Sequence, residues 1–308
     1  MNRREFVRQA ALTAAGLWVL GPWEGALPAP VNKSLLRLAL LADAHLKDGN
    51  EERPEAKNLA RAVSEIKAVS PAFDLVLFAG DLAHHGNPKA LALGREILSG
   101  LSAPLLAARG EGDGGPESLR RWVRHIGTAP FFYEFKGTYL LGLDTGWQSF
   151  REGPAFALGE TQRRWLGETL PRLDPKKPLL VLSHAPLTPI FPPWGQWIRD
   201  AAELAPILAR FPRVICLHGH GHYAGSQGDW PISGKKAGRG GFMSPKIRED
   251  RKVETGHLSL PATSWPYPSP LEGTTLDLRP GLLTRGCGWL EITGTPGGWW
   301  VIPHIWET

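Results

Sequence analysis

Short polar blocks follow one apolar, strand-like run after another along this chain, and they constrain its fold more than any other feature. The blocks are, in chain order, Asp43-Ala44-His45, Gly80-Asp81, Gly110-Glu111-Gly112-Asp113, Ser183-His184 and His218-Gly219-His220-Gly221-His222. Segments with apolar residues at helical spacing separate most of the runs. Strands that alternate with helices in this way indicate an α/β fold with a largely buried sheet.

The same periodicity predicts the individual elements. Strands are predicted at 36–42, 75–79, 104–108, 179–182, 214–217, 253–260, 289–292 and 299–305, with a hairpin around Gly137. Helices are predicted at 54–69, 89–101, 117–126, 159–170 and 201–210. No internal repeat is evident, so we expect one domain.

The N-terminal segment has a different pattern. Arg3 and Arg4 precede a short apolar run at 10–20, and a Pro-rich stretch of small residues follows. This pattern is typical of a twin-arginine export signal, and the run is shorter than the about 20 residues that a membrane-spanning helix needs. We predict an export signal at 1–29 and a single domain at 30–308. The twin-arginine export machinery is then a partner, and the location is periplasmic or extracellular. A tether through an uncleaved signal and a cytosolic amphipathic helix are the alternatives.

Composition excludes several classes of protein. Hydrophobic residues make up 42% and charged residues 21% of the chain, which is typical of a soluble globular protein rather than a disordered one. The net charge is only +5, and the chain has no long run of basic residues, so we expect no nucleic-acid partner. Cys216 and Cys287 can form at most one bridge, and their pairing stays open. The chain carries neither a Gly-x-Ser-x-Gly elbow nor a Walker phosphate loop.

The polar blocks supply carboxylates and imidazoles at the predicted carboxyl ends of strands, where open α/β sheets bind ligands. These groups are the ligands that Zn, Mn and Fe ions prefer. They are numerous enough for two ions that share a bridging carboxylate. Two such ions can activate water and clamp phosphoryl oxygens during an in-line displacement.

In this order the blocks resemble those of calcineurin-like metallophosphoesterases, over about residues 35–225. In that family they read Asp-x-His, Gly-Asp, Gly-Asn-His-Asp or -Glu, His, and Gly-His-x-His. The resemblance implies a four-layer α/β/β/α sandwich, two divalent or mixed-valence metal ions (Mn, Fe or Zn), and hydrolysis of small phosphate esters by a hydroxide between the ions. The ligands that it implies are Asp43, His45 and His222 on one ion, Glu111, His184 and His220 on the other, and Asp81 bridging both. Asp81 and His184 are also predicted to be catalytic.

The third block departs from the family, because Glu111-Gly112 stands where Asn-His is usual. Glu111 adds a negative charge, so the centre is closer to neutral and attracts a dianionic monoester less. In the family the missing histidine contacts phosphate and is the usual candidate to protonate the leaving oxygen. Both changes favour phosphodiesters, or esters with acidic leaving groups, over alkyl phosphomonoesters.

Five further residues are candidates near this centre. His84 and His85 follow the second block and can replace the missing acid, or they belong to a solvated loop. Arg109, where the family often has proline, can contact substrate phosphate, or it is a surface arginine. Trp194 and Trp197 can wall a pocket for the leaving group, or they pack a loop onto the core.

Two functions fit these residues. One is an exported dimetal phosphoesterase, and the other is a degenerate metal-binding or ligand-sensing module of the same fold. Gly112 supports the second function. We predict the enzyme, because every expected metal-ligand position is filled.

Overall fold

The computed structural model describes residues 35–127, 130–150, 153–189, 196–222, 225–227, 251–253, 256–264, 286–295 and 298–307. These residues form two mixed six-stranded sheets and a separate two-stranded hairpin. The two large sheets pack face to face, and helices cover their outer faces. The predicted four-layer α/β/β/α sandwich is therefore confirmed.

The strands and helices are defined as follows. The strands are β1 (Arg37–Leu41), β2 (Leu75–Ala79), β3 (Leu105–Ala108), β4 (Phe131–Phe135), β5 (Thr138–Gly142), β6 (Gly146–Phe150), β7 (Gly153–Ala157), β8 (Leu179–Ser183), β9 (Val214–His218), β10 (Gly225–Gln227), β11 (Arg251–Val253), β12 (Gly256–Ser259), β13 (Gly286–Thr295) and β14 (Gly298–Glu307). The α-helices are α1 (Pro54–Ala68), α2 (Pro88–Leu98), α3 (Leu119–His125), α4 (Gly159–Thr169) and α5 (Ala205–Leu208). None of the helices in the described ranges is long and apolar enough to cross a bilayer.

The two sheets have related topologies. Sheet one has the order β11-β14-β13-β1-β2-β3, and sheet two has the order β10-β12-β9-β8-β5-β4. Strands β1, β2 and β3 run parallel in the first sheet, as do β5, β8, β9 and β12 in the second. The carboxyl ends of the parallel strands therefore gather at one edge of each sheet, where α/β folds place their ligand sites.

Strand β1 shows why the parallel strands read as continuous apolar runs. Leu38 and Leu40 pack into the core between the sheets, whereas Ala39 and Leu41 pack beneath the helices on the outer face. Successive side chains of a strand point to opposite faces, so a strand covered on both sides needs apolar residues at every position.

Helix α2 begins with residues that favour helix initiation and can be read directly from the sequence. The Asn87 side chain accepts hydrogen bonds from the backbone N–H groups of Lys89 and Ala90, and Pro88 occupies the first turn. Asparagine at the N-cap and proline just after it both favour helix initiation.

Two predicted elements differ from those observed, and one observed element is not predicted. The strand predicted at 253–260 is two strands in different sheets, β11 and β12, and the second begins at Gly256, whose φ of 124° suits glycine. The helix predicted at 201–210 is a 3₁₀ helix, Arg199–Leu204, followed by the short helix α5. Pro206 lacks the N–H that would link these two turns. The hairpin of β6 and β7 has no predicted counterpart.

The two cysteines lie in different layers. Cys216 packs on the outer face of sheet two and Cys287 on the outer face of sheet one, and both are free and buried. The open question of their pairing is thereby answered, because two sheets separate the thiols.

Substitution of Leu180 in β8 tests how much the core between the sheets contributes to stability. Its side chain is 1% exposed, so Leu180→Ala should lower the free energy of unfolding by about 2–5 kcal/mol in urea denaturation. Leu35→Ala is the matched control, because Leu35 is 48% exposed. An equal loss in the two variants would contradict the assignment of the core.

Candidate metal centre

The predicted ligands meet where the carboxyl ends of the two sheets face each other. Sheet one supplies Asp43 and His45 after β1, Asp81 after β2 and Glu111 after β3, and sheet two supplies His184 after β8 and His220 and His222 after β9. All seven are thus brought together, as the sequence predicts. Whether they bind metal remains a prediction.

Backbone hydrogen bonds fix the relative positions of these loops. The N–H of Asp43 donates to the carbonyl of Gly80 at 2.9 Å, and the N–H of His45 donates to the carbonyl of Asp81 at 2.9 Å. The N–H of His220 donates to the Asp43 carboxylate at 3.1 and 3.2 Å, which ties the second sheet to the first.

The first donor group consists of Asp43, His45 and His222. The Nε2 atoms of His45 and His222 are 3.0 Å apart. Asp43 Oδ1 lies 3.5 Å from His222 Nε2 and 3.9 Å from His45 Nε2. Two nitrogens that each lie about 2.1 Å from one ion are about 3.0 Å apart when they subtend a right angle, so this group fits a cation.

The second donor group consists of Glu111, His184 and His220. Glu111 Oε2 lies 2.9 Å from His184 Nε2, and Glu111 Oε1 lies 2.9 Å from His220 Nδ1. The two histidines are buried, whereas the Glu111 side chain is 33% exposed. The second group is therefore reached from solvent on the side of Glu111.

Asp81 lies between the two groups. Its Oδ2 is 3.7 Å from Nε2 of His45, and its Oδ1 is 3.6 Å from Nε2 of His184. Each carboxylate oxygen thus faces a different group, which is the arrangement that a bridging ligand requires.

Five of the seven residues have a left-handed backbone. Their φ angles lie between 46° and 63°; the residues are Asp43, His45, Asp81, His220 and His222. A non-glycine residue in this region costs on the order of 1–3 kcal/mol, and such residues cluster at functional sites. These turns follow β1, β2 and β9, and they bring the polar side chains of those strand ends together.

Glycines let the backbone approach these carboxylates closely. A Cβ at Gly110 would lie 2.1 Å from Asp81 Oδ1, and one at Gly219 would lie 2.5 Å from Asp43 Oδ2. Gly112 donates its N–H to Asp81 Oδ1 at 2.6 Å, and a Cβ there would lie 2.9 Å from the same oxygen. The third block therefore contributes a backbone donor where the family has a side chain.

The charges of the centre are strongly coupled. Burial opposes ionisation of Glu111, but the neighbouring His220 and His184 hold the pKa of its carboxyl well below the usual value. Burial raises the pKa of Asp81 well above its usual value, although His184 works against this shift. Burial and His222 together lower the pKa of His45 to about 3, which favours the neutral imidazole that binds metals. Burial opposes protonation of His184, but the neighbouring Asp81 and Glu111 carboxylates outweigh it and hold the pKa well above its usual value. Carboxylate oxygens and imidazole nitrogens at these distances form a donor set that fits two divalent cations.

The buried Asp113 carboxylate accepts hydrogen bonds from the backbone of the second and third blocks. One of its carboxylate oxygens accepts the N–H groups of Asp81 and Gly110 at 2.9 and 3.0 Å, and the other accepts that of Ala83 at 2.8 Å. Burial raises the pKa of Asp113 to about 6, against the effect of these donors. Asp113 therefore holds the second and third blocks together through backbone contacts.

Arg109 is buried rather than on the surface. Its guanidinium donates to both oxygens of Asp144 at 3.2 and 3.3 Å and to the carbonyls of Gly114 and Gly115 at 2.9 and 3.0 Å. These bonds hold the loop that carries Glu111. A contact with substrate phosphate stays a prediction.

His84 and His85 lie in a 3₁₀ turn beside the first donor group. The ring centroid of His84 is 6.4 Å from that of His45 and 4.0 Å from that of His85. Burial, His85 and Lys47 lower the pKa of His84. Their position at the rim agrees with the expected one, and their role in proton transfer stays a prediction.

A cavity of about 760 Å³ opens beside the second donor group. Residues that line it include Glu111, Arg109, Asp144, Thr161, Trp165 and Gln196. Trp165 and Gln196 are not predicted from the sequence, because their positions carry no motif. Trp197 is half-buried, with the Arg199 guanidinium 5.6 Å from its ring, whereas Trp194 lies outside the described residues.

Comparison with known proteins identifies curated relatives of this chain. Over 199 residues, the chain is 29% identical to 3',5'-cyclic adenosine monophosphate phosphodiesterase CpdA of Escherichia coli, covering 60% of this chain and 70% of the relative. Over 175 residues, it is 27% identical to a probable glycerophosphodiester phosphodiesterase GpdQ of Arcobacter nitrofigilis, covering 54% of this chain and 63% of that protein.

Solved structures share the fold at lower identity. A purple acid phosphatase from yellow lupin seeds has a TM-score of 0.57 and 14% identity, over 87% of this chain and 50% of its own. A dimetal phosphatase from Danio rerio has a TM-score of 0.56 and 15% identity, over 84% of this chain and 92% of its own. At these identities the likeness concerns the fold alone.

The motif order, the fold and the assembled donor groups agree with a match to the calcineurin-like phosphoesterase family over residues 36–224. That span is more than half of the chain. This protein belongs to the calcineurin-like phosphoesterase family and is a hydrolase of phosphate esters, as its sequence predicts.

Proposed function

We propose that this protein is a dimetal phosphodiesterase that also accepts esters with acidic leaving groups. The observation that carries the proposal is the position of Gly112, which places a backbone N–H 2.6 Å from Asp81 and leaves no side chain there to protonate a leaving oxygen. Without a proton donor at this position, the reaction favours leaving groups that depart as stable anions.

The seven predicted ligands have distinct roles in this proposal. Asp43, His45 and His222 would hold one ion, Glu111, His184 and His220 would hold the other, and Asp81 would contact both. When bound, the two ions would supply a nucleophile derived from water and a positive clamp on the phosphoryl oxygens.

The surrounding residues keep these ligands in place. Asp113 holds the loop of Asp81, and Arg109 holds the loop of Glu111. Such preorganisation lets the ligands bind charge without rearrangement during the reaction. His84, at the rim of the first donor group, would be the nearby residue that protonates the leaving oxygen in place of the missing histidine.

Charge and space support a diester substrate. Glu111 brings a third carboxylate to the centre, which lowers its attraction for a dianion. The cavity of about 760 Å³ beside Glu111 provides room for the second ester group. The names of the two curated relatives, both phosphodiesterases, agree with this substrate class.

Metal content measured together with hydrolysis of two aryl esters tests the proposal. We expect the purified chain to bind two metal ions and to hydrolyse bis(para-nitrophenyl) phosphate more efficiently than para-nitrophenyl phosphate. Glu111→Gln should remove one ion and at least tenfold of kcat/KM, because losing a ligand weakens its site. Glu160→Gln is the control, since that side chain is 78% exposed. Metal binding without hydrolysis of either ester would refute the proposed function.

Gly112→Ala tests the close approach at the third block. The added Cβ would meet Asp81 Cγ and Oδ1 at 2.9 Å and the Ala83 carbonyl oxygen at 3.0 Å, so the Asp81 carboxylate must leave its present position between the donor groups. We expect diesterase kcat/KM to fall about tenfold or more, since a displacement of about 1 Å costs rate at this scale. Gly167→Ala is the matched control, because a Cβ there meets nothing within 4 Å. Equal activities would show that Asp81 tolerates the shift.

We also propose that the protein is exported through the twin-arginine pathway. The support is the sequence of residues 1–29, which lie outside the described residues. In a bacterial host with this pathway, Arg3→Lys with Arg4→Lys should shift the protein from the periplasmic to the cytoplasmic fraction, as measured by immunoblotting. Arg8→Lys, outside the pair, should leave export unchanged. Unaltered fractionation of the double variant would contradict the proposal.

A further inference from the structure

The imidazole of His220 is held on three sides. Its Nδ1 lies 2.9 Å from Glu111 Oε1, on the side of the second donor group. Its Nε2 lies 2.6 Å from Oε1 of Gln196. The ring of Phe156 packs against it edge-on, with centroids 4.9 Å apart and an interplanar angle of 77°.

A cation bound at Nδ1 would make these contacts compatible with one tautomer of His220. A neutral imidazole carries one N–H, and only its unprotonated nitrogen can bind a cation. With a cation held between Nδ1 and the other donors of the group, the proton belongs on Nε2. There the carbonyl oxygen of Gln196 is positioned to accept it.

Gln196 is itself attached to a fixed part of the structure. Two residues later, the N–H of Ile198 donates to the carbonyl of Pro186 at 2.9 Å, and the Ile198 side chain is fully buried. Ile198 also forms a parallel bridge with Phe156 of β7. The segment that carries Gln196 is thus joined by a backbone bridge at Ile198 to Phe156, which packs against the His220 ring.

We infer that Gln196 is a positioning residue for the metal site formed by Glu111, His184 and His220. It accepts the Nε2–H of His220 and thereby keeps Nδ1 unprotonated and directed at the ion. Partners of this kind raise the basicity of a ligating histidine and fix its orientation. This inference rests on the proposed dimetal function.

The position of Gln196 also connects the metal site with the cavity. Gln196 lines the cavity of about 760 Å³ beside Glu111, so an ester group bound there would contact the residue that orients His220. The first donor group is separate from this contact, since His45 and His222 face each other on the other side of Asp81. The effect of Gln196 should therefore be confined to one of the two ions.

Isothermal titration of the metal-free full chain with Mn²⁺ tests the inference without relying on catalysis. Gln196→Leu, which has a similar size and no acceptor, should weaken one of two Mn²⁺ sites about 10- to 100-fold and leave the other unchanged. Gln196→Glu keeps an acceptor and should bind both ions as tightly as the unchanged protein or more tightly. Thr161→Ala, which alters the same cavity wall, is the control and should leave both sites unchanged. The melting temperatures of the metal-free variants should agree, which excludes a folding defect.

Other results would overturn the inference. Gln196→Leu with both sites intact would show that His220 needs no such acceptor. If Gln196→Glu or Thr161→Ala weakened Mn²⁺ binding as much as Gln196→Leu, the effect would come from packing of the cavity wall. Absence of Mn²⁺ binding in the unchanged protein, when other divalent ions also fail to bind, would refute the proposed function together with the inference. Normal binding in that protein and in Gln196→Leu would refute the inference alone.

Discussion

The carboxylate of Asp81 is the group on which the rest of the centre depends. Its two oxygens face different donor groups, one through His45 and one through His184, so its position sets the spacing between them. The Gly112 N–H holds one of these oxygens at 2.6 Å, and Asp113 accepts the Asp81 backbone N–H. Burying an ionised carboxylate in this position costs free energy unless positive charge lies nearby. The groups around Asp81 are suited to binding cations, which would supply that charge.

The sandwich makes this arrangement possible because two sheets end at one place. Leu40 and Leu180, from opposite sheets, pack in the same core, and that core fixes the distance between the strand ends above it. The N–H of His220 then joins the sheets through Asp43. The left-handed turns after β1, β2 and β9 are strained, and these contacts between loops hold them. The packing of the core between the sheets therefore also determines the geometry of the centre.

The third block is the place where this chain departs from the motifs of its family. Gly112 removes a side chain that the family uses near the leaving group, and Glu111 adds charge to the second donor group. Arg109 and Asp113 then hold this block from two sides through buried hydrogen bonds. The result is two donor groups joined by Asp81, with a backbone N–H at the position where the family has a histidine side chain. This combination is consistent with substrates whose leaving groups need little protonation.

Sequence alone determined the family, the four-layer fold and which seven polar residues meet at the strand ends, because strand ends, turns and ligand types are encoded within a few adjacent positions. It also placed most strands, since a strand buried on both faces reads as an uninterrupted apolar run. Only the tertiary structure revealed that Arg109 is bound to Asp144, that Cys216 and Cys287 lie in different layers, and that Gln196 contacts His220. These contacts join residues distant in sequence and follow no local pattern, so they depend on how the two sheets and their loops pack.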